Sequence, residues 1–148
     1  MTARLRKAKM DDARDIFLWR NDESTRRNSF SKDIIDYDSH LKWLEGKLSD
    51  PSCLMFILED DDRKVGNIRI DIDNGEGEIS YMIAPDSRGK GYGKLILSLV
   101  EKALPQDIKT LTALVLKGND ASGKCFHANG YQVSDDGEVL RYYKDIVN

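Results

Sequence analysis

Residues 77–94, Gly77-Glu-Ile-Ser-Tyr-Met-Ile-Ala-Pro-Asp-Ser-Arg-Gly-Lys-Gly-Tyr-Gly-Lys94, pass from a strand through a proline stop into a glycine-rich loop. Ile79, Tyr81 and Ile83 fall on one face of the strand, opposite Glu78, Ser80 and Met82. Pro85 ends it. In Arg88-Gly89-Lys90-Gly91-Tyr92-Gly93, alternate glycines permit positive φ and let an anion approach the backbone. An apolar helical pattern (Leu95, Ile96, Leu99, Val100, Ala103) begins at once, so unpaired amides and the positive end of a helix dipole face the same place. Arg88, Lys90 and Lys94 add charge. The unit suits a pyrophosphate, although glycines that merely turn a strand into a helix have the same spacing.

The neighbouring patterns extend this unit into a mixed α/β fold. Ile68, Ile70 and Ile72 alternate with Asn67, Arg69 and Asp71 in a strand over residues 65–73 that predicts one buried face, and Asn74-Gly75 turns it back as a hairpin. Residues 54–59 form a further apolar strand. Upstream, residues 4–8 read as a strand, and Asp11-Asp12 as a helix start satisfying free amides. Residues 21–36 are polar loop or broken helix. Asp36 or Asp38 caps a helix whose Leu41, Leu44 and Leu48 make a stripe ended by Pro51. Downstream come a strand over residues 110–116, a short helix over 119–129 capped by Gly130, and a last strand near residues 139–144. No linker or repeat interrupts residues 1–148, which read as one domain.

Composition narrows the function classes. Net charge is −3, with 33% charged and 40% hydrophobic residues. No global positive field favours nucleic acid or an anionic membrane. The longest apolar run, residues 53–58, is too short to span a bilayer, and the basic N-terminal residues precede no apolar stretch of a signal peptide. Cys53 and Cys125 lack metal-ligand spacing and read as free thiols of a reducing, cytoplasmic compartment. No metal is expected. A second glycine pattern, Gly118-Asn-Asp-Ala-Ser-Gly-Lys124-Cys125, nearly spells a Walker A loop. However, Cys125 replaces the hydroxyl that would ligate Mg²⁺, and only 23 residues follow it. Nucleotide hydrolysis is not expected.

Arg88-x-x-Gly91-x-Gly93 after a hairpin and a proline resembles motif A of the GNAT acetyltransferase superfamily. Asn119, Ala121, Phe126 and Gly130-Tyr131 resemble its second motif, and the order of elements matches over nearly the whole chain. The resemblance implies the GNAT acyltransferase fold, a mostly antiparallel sheet with helices on both faces, and acetyl-CoA as co-substrate between two splayed parallel strands. It implies that the backbone of Met82, Ile83 and Ala84 pairs with the pantetheine arm. Arg88, Gly89, Lys90, Gly91, Tyr92, Gly93 and Lys94 would wrap the pyrophosphate, with Asn119, Ser122 and Phe126 lining the other side. Asn119 can serve equally as a helix cap.

Acetyl transfer needs a base for the ammonium proton and an acid for the departing thiolate. Many family members carry a glutamate base at the Glu78 position; a solvent-facing strand carboxylate is the alternative. The family's usual acid is a tyrosine where this chain has Phe126, which has no proton to give. Tyr142, Tyr143 or water is left to substitute, and the acid stays unassigned.

For the acceptor, Trp19-Arg20-Asn21-Asp22, Arg26, Asn28-Ser29-Phe30 and His40-Leu-Lys-Trp43 resemble the acetyltransferases of bacterial surface-sugar pathways, nearest to the pseudaminic-acid type. These act on the 4-amino group of a nucleotide-linked deoxyaminosugar. The resemblance makes Arg20, Asn21, Arg26, Ser29, Phe30, His40 and Trp43 substrate-binding candidates. Arginines suit a diphosphate, and Trp43 or Phe30 suits a base or sugar face. Trp19 reads as core. Ribosomal-protein N-terminal acetyltransferases share the Trp-Arg-Asn region, so peptide amines are the alternative acceptor. A non-catalytic acyl-CoA sensor is the third reading, and the expected assembly is a monomer or homodimer.

Overall fold

The computed structural model describes residues 2–146. Strands β1 (Arg4–Lys7), β2 (Cys53–Asp60), β3 (Arg63–Asp73), β4 (Glu76–Ile83), β5 (Thr110–Leu116), β6 (Gln132–Asp135) and β7 (Val139–Asp145) form one seven-stranded sheet, ordered β1-β2-β3-β4-β5-β7-β6. The helices are α1 (Ala13–Asn21), α2 (Glu23–Arg27), α3 (Tyr37–Ser49), α4 (Tyr92–Lys102) and α5 (Asp120–Ala128). Only β4 and β5 pair in parallel; the other pairs are antiparallel.

The β3–β4 hairpin turns where Asn74-Gly75 predicts, with φ of 51° and 79°. A second two-residue turn, Asp61-Asp62, also has both φ positive, at 52° and 66°. Aspartate tolerates that conformation because its short polar side chain bonds locally. One further element departs from the expected order: the polar edge strand β6 pairs with β7. The short helix α2 over residues 23–27 falls within the stretch expected as loop or broken helix.

Helices cover both faces. On one, Phe56, Leu58, Ile68, Ile70 and Ile79 pack under α4 and α5. On the other, Met55 and Ile57 meet Ile16, Trp19 and Leu44 of α1 and α3. Each fully buried aliphatic side chain there contributes roughly 1.5–3 kcal/mol. This second layer corrects the half-buried expectation for β3, because it buries Asn67 to 6% exposure. Asp12 satisfies a free amide as expected, accepting from Lys9 N at 2.9 Å at the start of the 3-10 turn Met10–Asp12. Its carboxylate makes no side-chain cap to α1 but is buried between Arg6 and Lys64, each at 2.8 Å. It therefore pins β1, β3 and the start of α1 together.

Among the described residues no helix is long and apolar enough to cross a membrane, and no group of three or more His, Cys, Asp or Glu is placed to hold a metal ion.

Candidate active site

β4 and β5 stay paired only from Glu76–Thr110 to Glu78–Thr112 and then diverge. The strand edges beyond that point lack a sheet partner on the side of the opening, and a cleft of about 350 Å³ lies there. Peptide groups of alternate residues face opposite edges of a strand. The Ala84 amide donates to the Val65 carbonyl (2.8 Å), and its own carbonyl accepts from Ser87 N (2.8 Å). Ala84 thus has both backbone groups engaged within the protein, and Met82, two residues back, faces β3 as well. The open edge belongs to Ile83 and Tyr81. Of the three residues expected to pair with a pantetheine arm, Ile83 presents its backbone to the opening while Met82 and Ala84 present theirs to β3; side-chain alternation reveals faces of a strand, not edges.

At the glycine loop, Gly89 (φ 76°) and Gly91 (φ 86°) adopt left-handed backbone, and Gly91 is the N-cap of α4 without any side-chain cap. The first-turn amides of Tyr92, Gly93 and Lys94 are those a helix start leaves unpaired. Lys90 and Lys94 stand exposed beside them. The remaining residues do something else. A Cβ on Gly93 would lie 2.8 Å from Cys125 Sγ, so this glycine lets α4 and α5 approach. The Tyr92 hydroxyl donates to Asp60 on the β2–β3 hairpin. Arg88 donates to Asp22 Oδ2 at 2.8 Å and Thr25 Oγ1 at 2.9 Å, away from the loop's amides. Of the residues expected around a pyrophosphate, the loop's backbone amides with Lys90 and Lys94 are placed for an anion, whereas the Tyr92 and Arg88 side chains are engaged with other elements.

Across the cleft, Asn119 Oδ1 accepts from Ser122 N at 3.4 Å as the cap of α5. Ser122 Oγ meets the Tyr81 hydroxyl at 3.0 Å. Burial pushes the Tyr81 phenol well above its usual range, a shift that the Ser122 hydrogen bond opposes. Phe126 is 1% exposed and stacks on Tyr142 with centroids 5.0 Å apart. Tyr142 is itself buried, its hydroxyl packed against Gly123. Tyr143 points to the opposite face, paired in register with Thr112. Along β4 and α5, the hydroxyls lining the cleft are Ser80, Tyr81 and Ser122.

The other half of the cleft is cationic. Arg20 lies over the Trp43 ring at 4.0 Å, and Arg69 approaches the same ring at 5.2 Å. Arg69 is anchored by Asp71 (2.9 Å) and donates to Ser80 Oγ at 3.3 Å. Burial, then the charge of Arg69, lowers the Arg20 pKa to about 10, so it stays charged at neutral pH. Arg26 lines the cleft with Nε held by the Asn21 carbonyl at 3.1 Å. Ser29 and Phe30 line it too, and Phe30 is 60% exposed. Two substrate candidates are corrected. The Asn21 amide is used on both sides by Ile35, at 2.9 and 2.7 Å. His40 is fully buried, with Nε2 2.9 Å from the Ala13 carbonyl and Nδ1 2.9 Å from Arg20 Nη1. A carbonyl only accepts and a guanidinium only donates, so Nε2 carries the proton and Nδ1 accepts. His40 holds Arg20 in place and cannot touch a ligand. Arg69 had only its place on the polar face of a strand to mark it.

Glu78 is exposed, opposite Asp71 on β3 and Thr112 on β5. It shares a strand face with Ser80 but stands just outside the cleft lining, where β4 and β5 part.

The buried His40 has a pH consequence. Burial lowers its pKa, the Ala13 carbonyl opposes this, and Arg20 lowers it further. The unfolded state therefore binds a proton that the folded state refuses, and stability falls as pH drops through about 6.5. We expect the thermal midpoint to be flat from pH 8 to 7 and to decline between pH 6.5 and 5. In His40→Gln the decline over that window should be shallower. Equal slopes in both proteins would show that His40 is not its source.

Residues 3–132 match the family model described as an acetyltransferase (GNAT) domain. Acetyltransferase PseH of Campylobacter jejuni subsp. jejuni serotype O:23/36 (strain 81-176) is 29% identical over 125 residues, covering 82% of this chain and 77% of that protein. Two solved structures share the fold. Spermidine N-acetyltransferase from Vibrio cholerae, in complex with CoA and spermine, superposes with a TM-score of 0.83 at 19% identity, covering 97% of this chain and 95% of that one. RimL, a ribosomal L7/L12 alpha-N-protein acetyltransferase in complex with CoA, gives 0.82 at 14% identity, covering 99% and 95%.

Proposed function

Because this chain belongs to the GNAT acetyltransferase family, we propose that it acetylates the amino group of an anionic acceptor, a nucleotide-linked deoxyaminosugar. The reaction class is acetyl-CoA-dependent N-acetyl transfer. The carrying observation is the charge of the acceptor half: Arg20, Arg26 and Arg69 face one carboxylate, Asp33, among the charged side chains lining the cleft. A polyamine would bring further positive charge into that surround. Two like charges about 6 Å apart repel by roughly 3 kcal/mol at an effective dielectric near 20. A diphosphate would instead be attracted by guanidinium groups that bind it through paired donors. The 29% identity to Acetyltransferase PseH agrees with the resemblance of Trp19–Asp22 and His40–Trp43 to the surface-sugar acetyltransferases.

The cleft fits the coenzyme in shape and donor chemistry. Ile83 and Tyr81 offer an open strand edge to an amide-bearing arm, and the amides after Gly91 offer a phosphate cradle. Acetyl-CoA supplies the activated acyl thioester. The chain's own residues orient the acceptor and move its proton. Glu78, outside the cleft lining, accepts that proton through water, and Ser80 is oriented by Arg69. A cytoplasmic location suits both co-substrates.

The test is release of free CoA with a panel of a 4-amino-sugar nucleotide, spermidine and a peptide amine. Turnover should be greatest with the sugar nucleotide, and Arg69→Gln should raise its KM about tenfold, the equivalent of one charge-assisted hydrogen bond. Spermidine or the peptide turning over faster would overturn the acceptor assignment. No turnover with any amine would favour the acyl-CoA sensor, which the phenylalanine at position 126 leaves open.

A further inference from the structure

We propose that Arg88 is a positioning residue for the acceptor-side helix α2, acting through Asp22 and Thr25, and is not a ligand of the coenzyme phosphates. The inference goes beyond the acceptor assignment and does not depend on it.

α2 is five residues long and buries none of them. A helix that short is unstable unless its ends are held, because one turn of hydrogen bonds does not offset the entropy of nucleation. Arg26 and Ser29 add bonds toward its C-terminal end, to the Asn21 and Thr25 carbonyls at 3.1 and 2.6 Å, but its N-terminus is held at one carboxylate oxygen. Asp22 Oδ2 accepts from Thr25 N at 3.1 Å as the N-cap, and the same oxygen accepts from Arg88 Nη2 at 2.8 Å. Arg88 donates as well to Thr25 Oγ1 at 2.9 Å, so it clasps both ends of the capping turn. Thr25 and Arg26 on this helix, with Asn28 and Ser29 just after it, line the acceptor side of the cleft. Arg88 follows the 3-10 turn Pro85–Ser87 after β4 and precedes the left-handed Gly89. It therefore ties the coenzyme loop to an element 66 residues away in the chain. Turning it toward a phosphate would break both bonds and leave the Asp22 carboxylate without its cation. The backbone amides, Lys90 and Lys94 already provide for the anion.

Two substitutions separate the roles. Asp22→Asn keeps a good N-cap but removes the charge that Arg88 meets; Arg88→Ala removes the clasp itself. α2 contains tryptic sites after Arg26 and Arg27, so cleavage there reports how firmly it is held. Coenzyme affinity is read with CoA alone by calorimetry, and no acceptor is needed. Each variant should be cut after Arg26 and Arg27 about three- to tenfold faster than wild type, as expected for losing a partly exposed charge-assisted bond. The double variant should be no worse than either single one. The Kd for CoA should stay within about twofold throughout. If Arg88→Ala does not fold by circular dichroism, Arg88→Gln takes its place. Loss of CoA affinity by tenfold or more on changing Arg88 would overturn the proposal, as would cleavage of either variant at the wild-type rate.

Discussion

Gly91→Val should lower the affinity for CoA by a hundredfold or more while the far-ultraviolet circular dichroism spectrum stays that of the wild type. Gly91 caps α4 at φ 86°. An L-residue in that region costs about 1–2 kcal/mol, and a β-branched one is a genuine outlier. A Cβ added there meets nothing within 4 Å, so the harm is not overpacking. Either the loop relaxes and re-aims the amides of Tyr92, Gly93 and Lys94, or the isopropyl group stands in front of them. Losing two hydrogen bonds to a charged phosphate costs roughly 3 kcal/mol or more, which is over a hundredfold in Kd. Gly93→Ala is the control with the opposite signature. Its methyl would fall 2.8 Å from Cys125 Sγ, so thermal stability should drop through the α4–α5 contact. Titration of both variants with CoA, alongside thermal melts, separates the roles. An affinity for Gly91→Val within threefold of wild type would show that the anion does not sit on this backbone.

The same loop shows what could be read from the chain before folding. Asn74-Gly75 and the glycines at 89 and 91 announce left-handed backbone through composition, and each is found there. Asp61-Asp62 makes an equivalent turn without a glycine to mark it, and β6 carries no apolar alternation because it lies at the sheet edge. Within the site, chain proximity was the misleading cue. Arg88 reads as part of the anion loop because it is adjacent to Gly89, yet its partner Asp22 comes from the first helical segment. His40 reads as a substrate-binding candidate, but the packing of α1 on α3 encloses it between the Ala13 carbonyl and Arg20. Arg69 looks like any polar residue on an alternating strand until the fold brings Trp43 and Ser80 to it. Faces of strands and helices follow from periodicity, whereas edges and cross-element partners depend on the fold.

Glu78→Gln should lower turnover by roughly a hundredfold or more, in line with general-base contributions, and leave CoA affinity nearly unchanged. A bound ammonium has no lone pair and cannot attack a thioester, so the rate with any acceptor that turns over should rise with pH until the amine or its base is titrated. Glu78 stands where β4 and β5 separate, on the face that also carries Ser80. Directly opposite, Asp71 is neutralised by Lys47 at 3.0 Å and Arg69 at 2.9 Å. The nearest strand carboxylate is therefore engaged with its own cations, while Glu78 has solvent contact through which a water can carry the proton. Glutamine keeps the shape and hydrogen bonding of the side chain and removes its basicity. The deficit should shrink at high pH, where hydroxide deprotonates the amine unaided. A pH-independent deficit would point away from proton transfer, and a loss confined to KM would make Glu78 a residue that orients the acceptor. Turnover equal to wild type at neutral pH would reduce Glu78 to a strand carboxylate at the mouth of the cleft.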